Sequence, residues 1–238
     1  MPSLFIKICR TAIALNVLLA CGLFARAEER KIAPCRQDAM IVFDASGSMS
    51  GNQTLGIPNS QARIDVVRSA LAGVLPSATR LRKVGLITFG PGPWNQCNVQ
   101  LNLKPTANAA FTIMSEVNAL VPAGKTPLTS AVEQAADVLD YRRKPGVIVA
   151  VTDGEETCGR SPCDLAKQLH AAANQLAIHV ISFRYESYSW TGEQSVEETK
   201  CLAGQTGGLF ITVDTEQDLA AALEKTLDCP MVSQLAMP

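Results

Sequence analysis

Short apolar stretches alternate with amphipathic stretches along most of this chain. The apolar stretches predict β-strands at 39–44, 84–89, 99–103, 147–152, 178–183 and 209–213. Between them, apolar residues recur with the spacing of one helix face, which predicts helices at 61–76, 108–120, 126–142, 162–176, 195–204 and 216–227. Strands that alternate with helices in this way are typical of an α/β protein in which helices cover both faces of a parallel sheet.

Most of the predicted strands are nearly continuous apolar runs, which is typical of strands that are buried on both faces. The 99–103 stretch differs because Val99, Leu101 and Leu103 alternate with polar residues, as on an edge strand with one solvated face. We therefore predict a doubly wound, Rossmann-like, three-layer fold with a mostly parallel central sheet and one antiparallel edge strand. The polar stretch 49–60 follows the first strand and is predicted to be a loop.

A different pattern occupies the first residues of the chain. Positively charged Lys7 and Arg10 lie before an apolar run at 11–24, and the small-residue spacing of Ala25-Arg26-Ala27 follows it. This order is typical of a secretory signal peptide, and the apolar run is too short for a membrane span. We therefore predict a signal peptide at 1–27 and an exported protein, either periplasmic or secreted.

A lipid anchor is the alternative to cleavage after residue 27. The sequence Leu18-Leu19-Ala20-Cys21 resembles the signal of a bacterial lipoprotein, with Cys21 as the modified residue. The length of 238 residues, 47% of them hydrophobic, allows one sizeable core. We predict one folded domain at 28–229 and a short tail at 230–238.

The charge balance does not indicate a nucleic-acid partner. The formal net charge is −1 and the isoelectric point is about 6.1, whereas nucleic-acid-binding domains usually carry a basic patch. The basic clusters at 80–83 and 142–144 each precede a predicted strand, where solvated charge at a helix end explains them. We expect no nucleic-acid binding and no transmembrane span in the mature chain.

Cysteine usage agrees with export. Eight cysteines are present, two of them in the predicted signal peptide. The others are Cys35, Cys97, Cys158, Cys163, Cys201 and Cys229, an even number that indicates disulfides in an exported protein. The predicted pairs are Cys158–Cys163, which are close in sequence, Cys35–Cys229, which bracket the domain, and Cys97–Cys201, which remain. A zinc cluster is disfavoured because the spacings are irregular and no histidine lies near a cysteine pair.

Oxygen-bearing side chains stand at the ends of three predicted elements. Asp44, Ser46 and Ser48 follow the first strand. Thr126 stands where a loop leads into a helix, and Asp153 follows a central strand. Ligands bind outside the carboxyl ends of the strands in an open parallel sheet, and hard divalent cations such as Mg²⁺ prefer oxygen ligands. Together these side chains predict a divalent metal site that leaves a position open for an oxygen from outside the chain.

These segments, in this order, resemble the metal-ion-dependent adhesion site of the von Willebrand factor type A domain. Asp-x-Ser-x-Ser stands at 44–48, the later threonine is Thr126, and Thr-Asp-Gly stands at 152–154. The resemblance extends over about residues 36–229 and includes all five positions of the pattern. The loop from Cys158 to Cys163 is also similar to one in exported bacterial members of the family.

The resemblance implies a role for each residue of the site. Ser46, Ser48 and Thr126 would contact the ion, and Asp44 and Asp153 would bind it directly or through water. The ion would be Mg²⁺, with Mn²⁺ or Ca²⁺ as alternatives. It would bridge to an Asp or Glu carboxylate of a protein partner. The expected function is therefore metal-dependent protein binding, as in adhesion, rather than catalysis.

A magnesium-dependent phosphatase of the haloacid dehalogenase class is the main enzymatic alternative, because such enzymes also place an Asp after an apolar strand. That chemistry needs a second acid two residues later, where this chain has Ser46. A surface adhesin anchored through Cys21 is a further alternative. Trp94 and Trp190 lie in predicted loops, where exposed aromatic side chains are candidates for partner contacts, and core packing is the other explanation.

Overall fold

A six-stranded sheet forms the centre of the computed structural model. The strands are β1 (Asp38–Asp44), β2 (Val84–Phe89), β3 (Val99–Thr106), β4 (Pro145–Thr152), β5 (Gln175–Phe183) and β6 (Phe210–Val213). Their order across the sheet is β3-β2-β1-β4-β5-β6. All neighbouring strands are parallel except β2 and β3, which are antiparallel. The predicted mostly parallel sheet with an antiparallel edge strand is therefore confirmed.

Helices cover both faces of this sheet. They are α1 (Arg63–Leu81), α2 (Ala110–Asn118), α3 (Leu128–Val138), α4 (Pro162–Ala172), α5 (Glu193–Gln205) and α6 (Glu216–Leu227). Buried side chains of α1, α2 and α6 pack on one face, and those of α3, α4 and α5 pack on the other. Successive residues of β1 divide between the two cores, since Ile41 and Phe43 face the first while Met40 and Val42 face the second. This alternation produces the predicted three layers.

Several boundaries differ from the prediction: β3 extends to Thr106, and the helix predicted at 126–142 spans Leu128–Val138. Helix α1 does not end at Pro76 but continues to Leu81. Pro76 is exposed, whereas Leu75 and Ala78 on either side of it are buried, and this burial offsets the backbone hydrogen bond that the proline cannot make. The stretch predicted as a loop after β1 begins with a 3₁₀ helix at Gly47–Leu55.

The structure describes residues 35, 37–55, 62–183 and 193–229, without the side chains of 52–55 and 193–195. The predicted signal peptide, the alternative anchor at Cys21, the C-terminal tail and Trp190 lie outside these residues and stay predictions. Within the described part of the chain, no helix is long and apolar enough to cross a membrane.

Three disulfides join elements that are distant in sequence. Cys35 pairs with Cys229 across a Cα separation of 5.4 Å, so the predicted link between the ends of the domain is confirmed. The other two predicted pairs are wrong. Cys158 pairs with Cys97, and Cys163 pairs with Cys201, with Cα separations of 6.0 Å and 5.0 Å.

Cys158 and Cys163 do not pair with each other because they belong to different elements. Cys158 lies in the loop after β4, whereas Cys163 lies in the first turn of α4. That helix begins at Pro162, and Ser161 caps it by accepting a hydrogen bond from the N–H of Asp164 at 3.1 Å. Since α4 packs against α5, Cys163 meets Cys201 of α5 instead of its neighbour in sequence.

Candidate metal-binding site

The carboxyl ends of β1 and β4 lie side by side in the middle of the sheet. Phe43 and Val151 are partners in the register of these parallel strands, so Asp44 and Asp153 emerge at the same edge. The chain leaves β1 toward β2 on one side and later returns to β4 on the other side. This is the switch point of a doubly wound sheet, where ligands characteristically bind.

Asp44 is fully buried, and both of its carboxylate oxygens accept hydrogen bonds. The backbone N–H of Ser46 donates to Oδ1 at 2.7 Å, and the hydroxyl of Thr152 donates to Oδ2 at 2.5 Å. Thr152 is absent from the predicted set of site residues. It lies at the end of β4, directly beside β1, and holds the Asp44 carboxylate in place.

Ser46, Ser48 and Asp153 form a chain of short contacts. The hydroxyl oxygens of Ser46 and Ser48 are 3.1 Å apart, and the Ser48 hydroxyl donates to Oδ1 of Asp153 at 2.6 Å. Spacing the serines two residues apart after a strand end therefore brings their hydroxyls together, and that of Ser48 reaches the carboxylate that follows β4.

Arg63 is a site residue that the sequence analysis missed. Its Nη1 donates to Oδ2 of Asp153 at 2.9 Å, and the Asp153 carboxylate is buried in this ion pair. Arg63 is the first residue of α1, and a single arginine at a helix end cannot be distinguished by pattern from a solvated surface charge. Only the packing of α1 against the sheet brings it to the site.

Thr126 reaches the same place from another part of the chain. Its backbone N–H donates to Thr157 Oγ1 at 2.8 Å, and its carbonyl accepts from the N–H of Thr157 at 3.0 Å. A Cβ atom on Gly154 would lie 3.6 Å from Ser48 Oγ and 3.8 Å from Thr126 Oγ1, so the glycine leaves the space beside both hydroxyls open. The structure thus brings the five predicted side chains together, and their binding of a metal stays a prediction.

Gly90 lets the loops around the site approach one another closely. Its φ is +90°, and an added Cβ would collide with the backbone of Ser46. The carbonyl of Gly90 accepts from the N–H of Gly124 at 2.5 Å, and the carbonyl of Gly124 accepts from the N–H of Gly47 at 3.0 Å. A residue with a side chain at position 90 would therefore separate the loops that carry the site hydroxyls.

Burial raises the pKa of both carboxyl groups of the site. Burial raises the pKa of Asp44 to about 7, and the charge of Asp153 is the second cause. Burial also raises the pKa of Asp153, although hydrogen bonds from Ser48 and Arg63 oppose this shift. Arg63 pairs with Asp153, and Asp44 makes no ion pair with a described residue, so a bound divalent cation would relieve the repulsion.

The donor set fits a hard divalent cation. The converging side-chain donors are all oxygens, from three hydroxyls and two carboxylates, which suits Mg²⁺. Among the described residues there is no group of three or more His, Cys, Asp or Glu side chains that could hold a metal ion. The neutral hydroxyls would therefore supply ligands that the two carboxylates alone do not.

The site opens into a cleft of about 510 Å³. Ser48, Thr126 and Asp153 line this cleft, and so do the side chains of Trp94 and Lys125. Trp94 is 79% exposed. Lys125 is also exposed and makes no ion pair with a described residue. The cleft therefore presents an aromatic surface and a positive charge beside the candidate metal ligands.

Comparison with known proteins identifies similar sequences and folds. Residues 39–156 match the family described as the von Willebrand factor type A domain. The chain is 24% identical over 206 residues to YwmC, an uncharacterised protein of Bacillus subtilis strain 168, and the match covers 82% of this chain and 85% of that protein.

Two solved structures from pilus proteins have the same fold. The pilus adhesin SpaC from Lactobacillus rhamnosus GG has a TM-score of 0.60 and 15% identity, over 83% of this chain and 30% of that chain. The vWF domain of the type V pili tip protein Mfa5 from Porphyromonas gingivalis has a TM-score of 0.55 and 13% identity, over 82% of this chain and 95% of that chain.

Proposed function

Because residues 39–156 belong to the von Willebrand factor type A domain family, we propose that this protein binds a protein partner through a divalent metal ion. The proposed ligands are Asp44, Ser46, Ser48, Thr126 and Asp153. The ion is Mg²⁺, with Mn²⁺ or Ca²⁺ as alternatives, and the partner supplies an Asp or Glu carboxylate. The observation that carries the proposal is the convergence of three hydroxyls and two buried carboxylates at the switch point of the sheet.

The chain's own residues favour an outside anion. The hydroxyls of Ser46, Ser48 and Thr126 are neutral, so Asp44 and Asp153 supply the only negative side-chain charges among the proposed ligands. A bound Mg²⁺ supplies a positive charge that attracts an anionic oxygen, and Mg²⁺ in proteins usually keeps positions that are not filled by protein ligands. A carboxylate of the partner is the group that fits such a position.

An adhesion or protein-interaction role agrees with the known proteins of this fold, which include a pilus adhesin and a pilus tip protein. The three disulfides fit an exported protein. We place the protein in the periplasm or outside the cell. The alternative is an exported lipoprotein that is anchored to a membrane through Cys21.

Binding rather than catalysis is the activity that we propose. A haloacid dehalogenase-like phosphatase would need an acid at the position of Ser46, whose hydroxyl instead lies 3.1 Å from that of Ser48. Asp153, the other carboxylate among the proposed ligands, is engaged by Ser48 and Arg63. Both of its oxygens accept hydrogen bonds, which supports a ligand role over proton donation to a leaving group.

Mg²⁺ is expected to bind the protein and to stabilise it. At a Mg²⁺ concentration of 100 times its Kd, binding would add about 2.7 kcal/mol to the free energy of unfolding. Calorimetric titration and thermal unfolding in MgCl2 or EDTA measure this effect. No heat of binding and an unchanged Tm across millimolar Mg²⁺, Mn²⁺ and Ca²⁺ would reject the metal site. If Mg²⁺ binds, capture from an extract of exported proteins, followed by elution with EDTA, tests the metal-bridged partner.

Trp94 is expected to contribute to binding of the EDTA-eluted partner, because an exposed aromatic side chain beside the metal site is a typical interface anchor. We expect Trp94→Ser to weaken partner binding by about 10-fold and to leave the Kd for Mg²⁺ unchanged. Phe111→Ser is the matched control, since Phe111 is 85% exposed on α2 and does not line the cleft. Equal partner affinities of the two variants, measured by surface plasmon resonance, would contradict the prediction.

A further inference from the structure

The disulfide between Cys97 and Cys158 joins two of the loops that surround the candidate metal site. Cys97 lies in the loop between β2 and β3, and Cys158 lies in the loop that follows β4 and carries Asp153. Cys97 is exposed and Cys158 is half-buried. The bond therefore crosses the surface of the molecule at the edge of the sheet where the site opens.

A third loop, which carries Lys125 and Thr126, runs between the two bridged loops. On one side the N–H of Lys125 donates to the carbonyl of Gln96 at 3.0 Å. On the other side the N–H of Thr126 donates to Thr157 Oγ1, and the carbonyl of Thr126 accepts from the N–H of Thr157. Gln96 directly precedes Cys97, and Thr157 directly precedes Cys158. The disulfide thus closes a ring around the backbone that presents Thr126.

A half-buried contact extends this ring to helix α3. One carboxylate oxygen of Glu156 accepts from the N–H of Thr129 at 2.7 Å, and the other accepts from the N–H of Cys158 at 2.7 Å. Glu156 therefore caps the start of α3, the helix that follows Thr126, and attaches it to the bridged loop. The glutamate lies three residues after Asp153, so the same short segment carries a proposed ligand and its support.

We propose that the Cys97–Cys158 disulfide is a positioning element of the metal site, which holds Thr126 and Asp153 at the separation that metal binding requires. This inference rests on the proposed metal-dependent function. Without the covalent bond, the three loops are held by backbone hydrogen bonds at an exposed edge, and such loops open more readily than the sheet. Ligands that must first be ordered bind their ion more weakly than ligands that are already in place.

The Cys163–Cys201 disulfide provides a matched control. It closes a sequence separation of 38 residues, against 61 for Cys97–Cys158, and loop-closure entropy depends only weakly on such a difference. It joins α4 to α5, and the nearby carboxylate of Glu198 accepts from Ser161 and Cys163 rather than from residues of the site. Removing either disulfide therefore releases a similar constraint on the unfolded chain. Only the Cys97–Cys158 bond belongs to the ring around the loop of Thr126.

The test uses the full chain with two double variants, Cys97→Ser with Cys158→Ser and Cys163→Ser with Cys201→Ser. In the metal-free proteins, amide hydrogen exchange is measured at Lys125, Thr126 and Thr157. We expect exchange at these amides to be about 10-fold faster in the first variant only. We also expect that variant to bind Mg²⁺ about 10-fold more weakly, as when a residue that holds a metal ligand in place is lost. Equal exchange at these amides in the two variants, or an unchanged Kd, would overturn the inference.

Two further measurements keep the outcome decisive. If wild-type protein binds no divalent ion, the proposed function fails, whereas the exchange data on metal-free protein still decide whether the disulfide orders the loop. If the Cys97/Cys158 variant does not fold, Thr157→Val removes the acceptor of the Thr126 N–H and keeps the disulfide. Faster exchange at Thr126 in that variant would support the ring, and unchanged exchange would contradict it.

Discussion

Metal-free protein is expected to lose stability as the pH rises from about 4 to about 7. Asp44 is responsible, because burial and the neighbouring Asp153 raise its pKa from 3.8 to about 7 in the folded state. A carboxyl whose pKa is raised by folding stabilises the folded state below its unfolded pKa. This contribution is lost as the pH rises through the folded pKa. The full shift of Asp44 corresponds to on the order of 4 kcal/mol.

Asp153 acts in the same direction, since burial raises its pKa as well. Urea unfolding of chelator-treated, dialysed protein between pH 4 and pH 8 measures the free energy of unfolding. Saturating Mg²⁺ is expected to flatten the decline, because the ion compensates the ionised carboxylates. Stability of the metal-free protein that rises steadily from pH 5 to pH 7 would contradict the assigned environment of Asp44.

Asp44→Asn is expected to abolish metal binding and, at pH 8, to stabilise the metal-free protein. Loss of a residue that only supports a metal ligand weakens metal binding by up to about 100-fold. Loss of a proposed ligand and its charge should therefore weaken Mg²⁺ binding by at least that factor. The amide keeps the shape of the carboxylate and removes a buried charge. We expect a gain of about 1–4 kcal/mol, the range for replacing buried ionic groups by neutral residues of similar volume.

Because of the hydrogen bonds around Asp44, we expect asparagine to be tolerated better than alanine at this position. The amide oxygen can still accept from the N–H of Ser46, and the amide nitrogen can donate to the hydroxyl of Thr152, which can turn toward the carbonyl of Gly154 at 3.2 Å. Asp44→Ala removes the acceptor for both buried donors. We expect that variant to lose about 1–3 kcal/mol relative to Asp44→Asn.

Calorimetry with Mg²⁺ and urea unfolding in EDTA measure the two effects of Asp44→Asn. Asp137→Asn is the control, because Asp137 lies on the exposed side of α3 and its side chain makes one long ion pair with a described residue, Arg142 at 3.8 Å. Wild-type affinity for Mg²⁺ in Asp44→Asn would exclude Asp44 as a ligand. A metal-free Asp44→Asn protein that is less stable than wild type at pH 8 would show that the buried, ionised Asp44 carboxylate of the wild type does not destabilise the fold.

The proposed ligands could be found from sequence because each stands at a recognisable end of an element. Asp44 ends an apolar strand, and Asp153 follows another. Once the strands are assigned to one parallel sheet, their carboxyl ends meet at one edge without further information. Thr152 and Arg63 were beyond this reasoning. Their role depends on which side-chain atoms meet Asp44 and Asp153, and no local pattern carries that information.

The disulfide pairings also show where prediction from sequence fails. Closeness in sequence predicted Cys158–Cys163, yet the start of helix α4 at Pro162 separates the two side chains and directs Cys163 toward α5. The pairing of Cys35 with Cys229 was predictable because both cysteines stand at ends of the domain, which in this fold meet. Pairing of the other four depends on the packing of loops and helices.

The sequence by itself determined the α/β architecture, the mostly parallel arrangement of its apolar strands and the positions of five candidate ligands. These features follow from periodicity and from side chains at strand ends, which are local properties of the chain. Only the tertiary structure decided that Arg63 neutralises Asp153, that Thr152 holds Asp44, and that Cys97 pairs with Cys158 around the loop of Thr126. Each of these contacts joins residues that are distant in the chain, so distances and burial, and not the order of residues, select the partner.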